Sequence, residues 1–369
     1  MQTTEREVRE PWLHITKRRA PIIWWKAWLI RLLAVVAALA VCSVLIVVMT
    51  GINPLEMYVT MFKGSFSTSR KFWVLLQKTA MLLCIALAVT PAFKMRFWNL
   101  GAEGQVLAGG LACVACLFYI KTLPSWALIL IMLVCSILGG MLWALLPGWF
   151  KATWNTNETL FTLMMNYVAI QLVSFCIAVW VPNGSGTLPI LNSNTRLGWL
   201  PFLGGNQYLI NILVVAAVTV AMFVYLRYSK HGYEIAVVGE SQNTARYSGI
   251  NVKKVIVRTA LLSGGLCGLC GFLLVAGGGH TISTGLAGGN GFTAVLVSWL
   301  SKFNPIVMVF TSAMIVFLQR GAAEIATAFR LDDSISDIVT GIILIFIIGS
   351  EFFIQYQLHF RKSRKEAQK

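Results

Sequence analysis

Apolar runs of about 20 residues, separated by short islands of charge, constrain this chain more than any other feature. A helix rises 1.5 Å per residue, so a run of that length matches the ~30 Å hydrocarbon core of a bilayer. Strands of a membrane barrel would instead be about 10 residues long and alternate in polarity. The composition agrees: 57% of the 369 residues are hydrophobic and 12% are charged. That is roughly half the charge of a soluble chain. The pattern predicts an integral membrane protein of the all-α, polytopic class.

Ten runs qualify as candidate spans: 27–50, 71–92, 99–119, 124–147, 158–181, 207–227, 255–277, 289–301, 304–321 and 335–355. The eighth is too short to cross unaided, so it borrows from the glycine-rich stretch before it or is partly unwound. Pro54, Pro91, Pro124, Pro147, Pro182, Pro201 and Pro305 fall at or near these span ends. The first run is read as a retained helix, because a long polar tail precedes it and it exceeds a signal peptide's apolar core. The organisation is therefore a tail over 1–26, a membrane domain over 27–355 and a basic tail over 356–369. Lys and Arg collect in the two tails and the 227–258 loop, with Lys94, Arg96, Lys151 and Lys302 on the same side; Lys63, Arg70, Lys71, Lys121, Arg196, Arg320 and Arg330 lie opposite, and Arg31 and Lys78 fall within spans. By the positive-inside rule both ends are cytoplasmic (N-in/C-in), with ten spans as two five-helix halves of a possible inverted repeat. The net charge of +16 reads as topology and not as a nucleic-acid surface, since the basic residues sit in separate loops.

No phosphate-binding GxxxxGK[ST] loop, HExxH pair or GxSxG turn occurs, so no catalytic residue, metal or cofactor is expected. The eight cysteines, with CxxC pairs at Cys113/Cys116 and Cys267/Cys270, lie in apolar runs and read as packing. Charges inside spans are costly, which singles out Glu103, Glu158 and Glu324 as functional groups or as helix caps and interhelical pairs. Glycines cluster between Gly264 and Gly291. The first four suit close helix crossing, and the Gly277–Gly291 stretch is too rich in glycine to remain one helix. The third and eighth spans open on Asn99-Leu100-Gly101-Ala102-Glu103-Gly104-Gln105 and Gly288-Gly289-Asn290-Gly291-Phe292. Gly-interrupted openings at matching places in two halves point to a transport pathway. The 228–254 loop is the largest cytoplasmic connection, and its Gly-bounded polar helix suits docking on protein.

Several segments resemble the permease subunits of ATP-binding-cassette importers of the simple-sugar and nucleoside branch, relatives of the branched-chain amino-acid permeases. They are FWNLGAEGQ (97–105), the Leu146-Pro147-Gly148 turn, Asn157-Glu158-Thr159-Leu160, Leu163-Met164-Met165-Asn166-Tyr167, GYEIAVVGESQNTARYSGINVKK (232–254) and GFTAVLVSWLSKFNP (291–305). The resemblance implies a non-catalytic pore in the cell (inner) membrane. It also implies a second homologous permease, separate cassette ATPase subunits and an extracytoplasmic solute-binding protein. The family's coupling loop carries over onto Gly232, Glu240, Asn243, Arg246, Tyr247 and Gly249. Within it Gly239-Glu240-Ser241-Gln242 stands where the family has Gly-Glu-Asn-Pro, and the missing proline loosens that turn.

A translocation pathway is expected to involve Asn99, Glu103, Gln105, Asn166, Asn290 and Phe292. The amides suit neutral hydroxylated or heteroaromatic solutes, or else only hold helices together. The NLGAEGQ and NETL segments look most like nucleoside permeases, with simple-sugar and riboflavin permeases as alternatives. An ion-coupled secondary transporter is the reading from a different class, resting on Glu103 and Glu158.

Overall fold

The computed structural model describes residues 13–18, 22–51, 53–181 and 188–360. Most of both basic tails, and Pro182, lie outside the described residues. Several helices begin at a capping side chain. The Asn157 carboxamide oxygen accepts from Thr159 N at 3.1 Å and Leu160 N at 3.2 Å, Asn251 accepts from Lys254 N, and Asp332 accepts from Ser334 N. Each satisfies amide protons that a helix start leaves without a partner.

The order is β1 (Leu13–Lys17), α1 (Trp24–Thr50), α2 (Pro54–Phe66), α3 (Ser69–Lys94), α4 (Ala102–Tyr119), α5 (Ser125–Trp154), α6 (Glu158–Trp180) and α7 (Leu209–Tyr228). Then follow α8 (Lys230–Glu240), α9 (Gln242–Tyr247), α10 (Val252–Leu274) with a π-turn over Val275–Gly279, α11 (Asn290–Leu300), α12 (Pro305–Ala328), α13 (Asp333–Gln355) and β2 (Tyr356–Phe360). Among the described residues nine helices are long and apolar enough to cross a membrane; Asn290–Leu300 is the short exception. At 1.5 Å per residue α11 reaches about 16 Å, half a hydrocarbon core. The ten expected runs thus become nine long helices and one short one.

Three expectations need correction. Pro147 does not end its span: α5 continues for two turns to Trp154. Those turns are anchored by Phe150 against Trp154 and Phe161, at ring distances of 4.9 and 5.1 Å, and by a 2.8 Å ion pair between Lys151 and Glu158. Pro91 likewise lies inside α3. A membrane helix tolerates proline where neighbouring helices re-satisfy the freed carbonyl. The all-α class stands, with one short addition: β1 and β2 form an antiparallel ribbon with His14 opposite His359. Finally, α2 is a helix that the apolar runs did not announce.

The chain divides into two compact units, Met1–Gly64 with Leu318–Lys369, and Ser65–Phe317. In the first, α1 and α13 run antiparallel: Arg31 pairs with Glu351 at 3.1 Å, and the Cys42 thiol meets the Val339 carbonyl farther along. The β1–β2 ribbon closes the end where α1 begins and α13 finishes, pairing Leu13 with Phe360.

In the second unit α10 is central, against α5, α4 and α3. Glycine makes this possible. A Cβ on Gly268 would stand 2.2 Å from the Ser136 carbonyl oxygen, and one on Gly140 would stand 2.2 Å from that of Gly264. In lipid, where apolar burial does not drive helices together, such close backbone approach supplies the packing that does. The Ser136 hydroxyl lies 2.8 Å from the Gly109 carbonyl and 2.7 Å from that of Gly268, tying α5 to α4 and α10.

Candidate functional site

Two features of the second unit concern function: a pair of interrupted helices in its interior and a short-helix hairpin at one end. At the first interruption α3 stops at Lys94, and the chain crosses 95–101 without helix before α4 begins. Backbone groups in such a stretch must find partners. Asn99, 1% exposed, accepts from Gly101 N at 3.1 Å and from the Gln105 amide at 3.0 Å, and donates to the Ser263 hydroxyl at 3.0 Å. Asn166 accepts from Gly104 N at 2.9 Å and donates to the Leu100 carbonyl at 2.8 Å, while Leu100 N donates to the Thr162 hydroxyl. These amides brace the interrupted segment against α6 and α10.

Glu103 joins this interruption to the second one. Its two carboxyl oxygens accept from Gly289 N at 2.9 Å and Gly291 N at 2.8 Å, at the start of α11. An acidic group at a helix N-terminus meets both bare amide protons and the positive end of the helix dipole. Gly291 is required there, since a Cβ would fall 2.7 Å from Glu103 N. α11 then runs along α3, with Thr90 and Ser298 hydroxyls 2.9 Å apart and Trp98 against Trp299 at 5.3 Å. Of the residues expected on a pathway, Asn99, Glu103, Gln105 and Asn166 are therefore buried in one hydrogen-bonded frame. Phe292 is 47% exposed and Asn290 is half-buried.

Replacing Glu103 by Ala leaves the buried Gly291 amide and the part-buried Gly289 amide without acceptors, at a cost of roughly 1–3 kcal/mol for the buried one. The expected result is a lower unfolding temperature in detergent and faster hydrogen exchange at Gly289 and Gly291, with Gln, which keeps one acceptor, falling between. Unchanged exchange in the Ala variant would show that Glu103 does not hold the start of α11.

Sequence reasoning passed over Asn211, although an amide in an apolar run is a visible signal. It is fully buried and donates to the Leu273 and Gly277 carbonyls at 3.3 and 3.1 Å, which the π-turn leaves exposed.

At the end of α3 that carries Lys94 lies the hairpin of α8 and α9. Ile235, Val238 and Ala245 sink into a cluster with Ala92, Met95, Phe97, Val252, Val255 and Ile256. Gly239 lets α8 touch the backbone, since a Cβ would meet the Lys94 carbonyl oxygen at 2.2 Å. Gly232 packs likewise on α7, and Gly249 takes a left-handed φ of +77° that ends the hairpin. His231, at the start of α8, meets the Tyr225 hydroxyl through Nδ1; burial pushes its imidazole pKa down despite the opposing pull of Glu234. The turn expected to be loose without proline is a single extended residue: Ser241 ends α8, and its hydroxyl accepts from Thr244 N to cap α9. α9 buries only Ala245 and presents Asn243, Arg246 and Tyr247 to the surface, Tyr247 at 93% exposure; Glu240 beside it is also exposed.

Residues 73–348 match the family described as branched-chain amino acid transport system / permease component. The chain belongs to this family. The permease is 28% identical to the glucose ABC transporter permease protein of Haloferax volcanii, over 90% of each chain. It is 26% identical to the guanosine ABC transporter permease protein of Bacillus subtilis, over 87% of this chain and 93% of that one. It is also 26% identical to the nucleoside ABC transporter permease protein of Lactococcus lactis subsp. cremoris, over 86% and 90%. It is a multi-pass permease subunit of the cell membrane, and both hydrogen-bonded interruptions and the α8–α9 hairpin fall inside the matched segment.

Proposed function

We propose that this permease imports a nucleoside-like solute, released to it by an extracytoplasmic binding protein and driven by separate cassette ATPase subunits that act on α8–α9. A second homologous permease completes the pore. The observation that carries the coupling role is the lopsided burial of α9: Ala245 anchors it, while Asn243, Arg246 and Tyr247 face outward with Glu240. A six-residue helix is marginal alone. Mounted on the α3–α10 cluster, it becomes a rigid lever whose displacement reaches Lys94 through Gly239.

The interrupted segments supply the moving parts. Half-helices pivot where their backbone bonds go to side chains, and the 95–101 and 280–289 stretches meet that condition on either side of Glu103. Asn290 and Phe292 are the residues of the frame placed to meet solute. The pairing of β1 with β2 supports an even number of crossings, and the basic residues of the tails make their side the cytoplasm.

The nucleoside reading is supported by two relatives whose names carry nucleoside or guanosine, together with buried amides and no mid-membrane cluster of Lys or Arg among the described residues. The Haloferax relative favours a sugar as the second reading. The test is purification of the tagged permease from its native membrane in mild detergent, followed by mass spectrometry. A cassette ATPase and a second permease are expected, and the associated binding protein should retain nucleosides in preference to sugars. Recovery of this chain alone, with uptake independent of ATP, would replace the proposal with a secondary transporter.

A further inference from the structure

At the end of the second unit opposite α8–α9 lies a hollow of about 610 Å³ between the first turns of α3 and the 202–209 segment. This volume falls in the range of small-molecule sites. Arg70 and Trp73 from α3 form one wall, and Phe202, Asn206, Gln207 and Tyr208 form the other.

The second wall is built, not loose. Gly204 and Gly205, with φ of +59° and +74°, make the tight two-residue turn of a hairpin whose Leu203 and Asn206 bridge. Asn206 accepts from Tyr208 N at 3.1 Å, and the Arg196 guanidinium lies over the Phe202 ring. Farther back, Trp199 stacks on His280 at 3.7 Å, and Leu200 N donates to the Ala276 carbonyl of the π-turn.

One turn beyond Trp73, α3 meets the π-turn. Arg70, Trp73 and Gln77 are spaced three and seven apart, so they share one face of α3. The Gln77 amide lies beside Gly278 of the π-turn, and next to it is Asn211, fully buried, whose carboxamide oxygen has no hydrogen-bond partner among the described residues. Gln77 and Asn211 lie behind the hollow and are not part of its lining.

We infer that this hollow is an outer-mouth subsite for the base of a nucleoside, occupied between release from the binding protein and passage to the interrupted helices. This rests on the nucleoside reading above and adds where the base is recognised. Three aromatic rings offer faces for stacking a flat heterocycle. At the rim the Arg70 guanidinium donates, while the Asn206, Gln207 and Tyr208 side chains can both donate and accept. They complement the carbonyl oxygens and ring nitrogens of an oxo-purine or oxo-pyrimidine.

The test uses the assembled transporter in lipid vesicles, with radiolabelled guanosine for uptake and 8-azidoguanosine as a photolabel. Trp73→Ala with Tyr208→Ala should lower guanosine uptake roughly tenfold at limiting concentration, the loss of about one stacked base. Phe at both positions should retain most of it, and ATP hydrolysis should confirm that each variant assembles. In the wild type the label should map to peptides spanning 69–77 or 202–209. Wild-type uptake of guanosine with full activity in the Ala variant, or with label only elsewhere, would overturn the subsite and leave the nucleoside reading intact. Wild-type uptake of glucose but not guanosine would overturn both. Should the Ala variant fail to assemble, the wild-type label map decides.

Discussion

Uptake should fall to background, a loss on the order of a hundredfold, when Glu240 and Arg246 are both replaced by Ala. Few residues dominate a protein interface, Arg is prominent among them, and each costs on the order of 2 kcal/mol when truncated. Both side chains are exposed, one at the last residue of α8 and the other in the last turn of α9. Exposed substitutions of this kind change folding stability by only about 0.5 kcal/mol. The variant should therefore reach the membrane and elute from a sizing column like the wild type, yet lose ATP-driven uptake and co-purify less ATPase. Full uptake in this variant would remove α8–α9 from the coupling path. Substitution of buried Ala245 would be a poor test, because it dislodges the whole short helix from its cluster.

The second large effect is on folding. Gly268→Val should destroy the packing of α10 on α5, because even its Cβ would stand 2.2 Å from the Ser136 carbonyl oxygen and 3.0 Å from the Ile137 Cα. Those are backbone atoms of a long helix and cannot swing aside. Overpacking costs about 1–3 kcal/mol where side chains can adjust, and more where they cannot. A stability of about 5–15 kcal/mol leaves little room for that. The expected outcome is aggregated or degraded protein, or a melting point in detergent lower by many degrees. Gly349→Ala is the matched control, since a Cβ there meets nothing within 4 Å in α13 and gains about 1 kcal/mol of helix propensity. Equal melting points for the two variants would mean that the α5–α10 contact does not govern stability.

Some of this architecture could be read from the chain because its causes are local. Apolar run length located most spans to within a few residues, although α5 and α12 each run seven residues past the expected end, and capping residues such as Asn157 and Asn251 sit at the starts they mark. The glycine-rich 277–291 stretch announced its own break, and the helix does stop at Gly279 and resume at Asn290. The α8–α9 motif was legible as a Gly-bounded polar helix in a basic loop. Its turn over 239–242 came from the family resemblance, but the tightness of that turn, a one-residue extended link at Ser241, left no trace in composition.

What escaped the sequence depends on partners far away in it. Pro147 looked like a span end, and only the ring cluster across α5 and α6 with the Lys151–Glu158 pair shows why the helix continues. Glu103 stood out as a charge in an apolar run, but its partners, Gly289 and Gly291, lie 186 and 188 residues away. The hollow of Trp73 and Tyr208 joins segments that neither periodicity nor motif connects. Sequence alone determined that the chain is built of membrane-spanning helices, because bilayer thickness and helix rise act on each run separately. Tertiary structure decided which polar groups are framework and which remain open to a ligand. A buried donor or acceptor takes its role from whatever group packing places within about 3 Å of it.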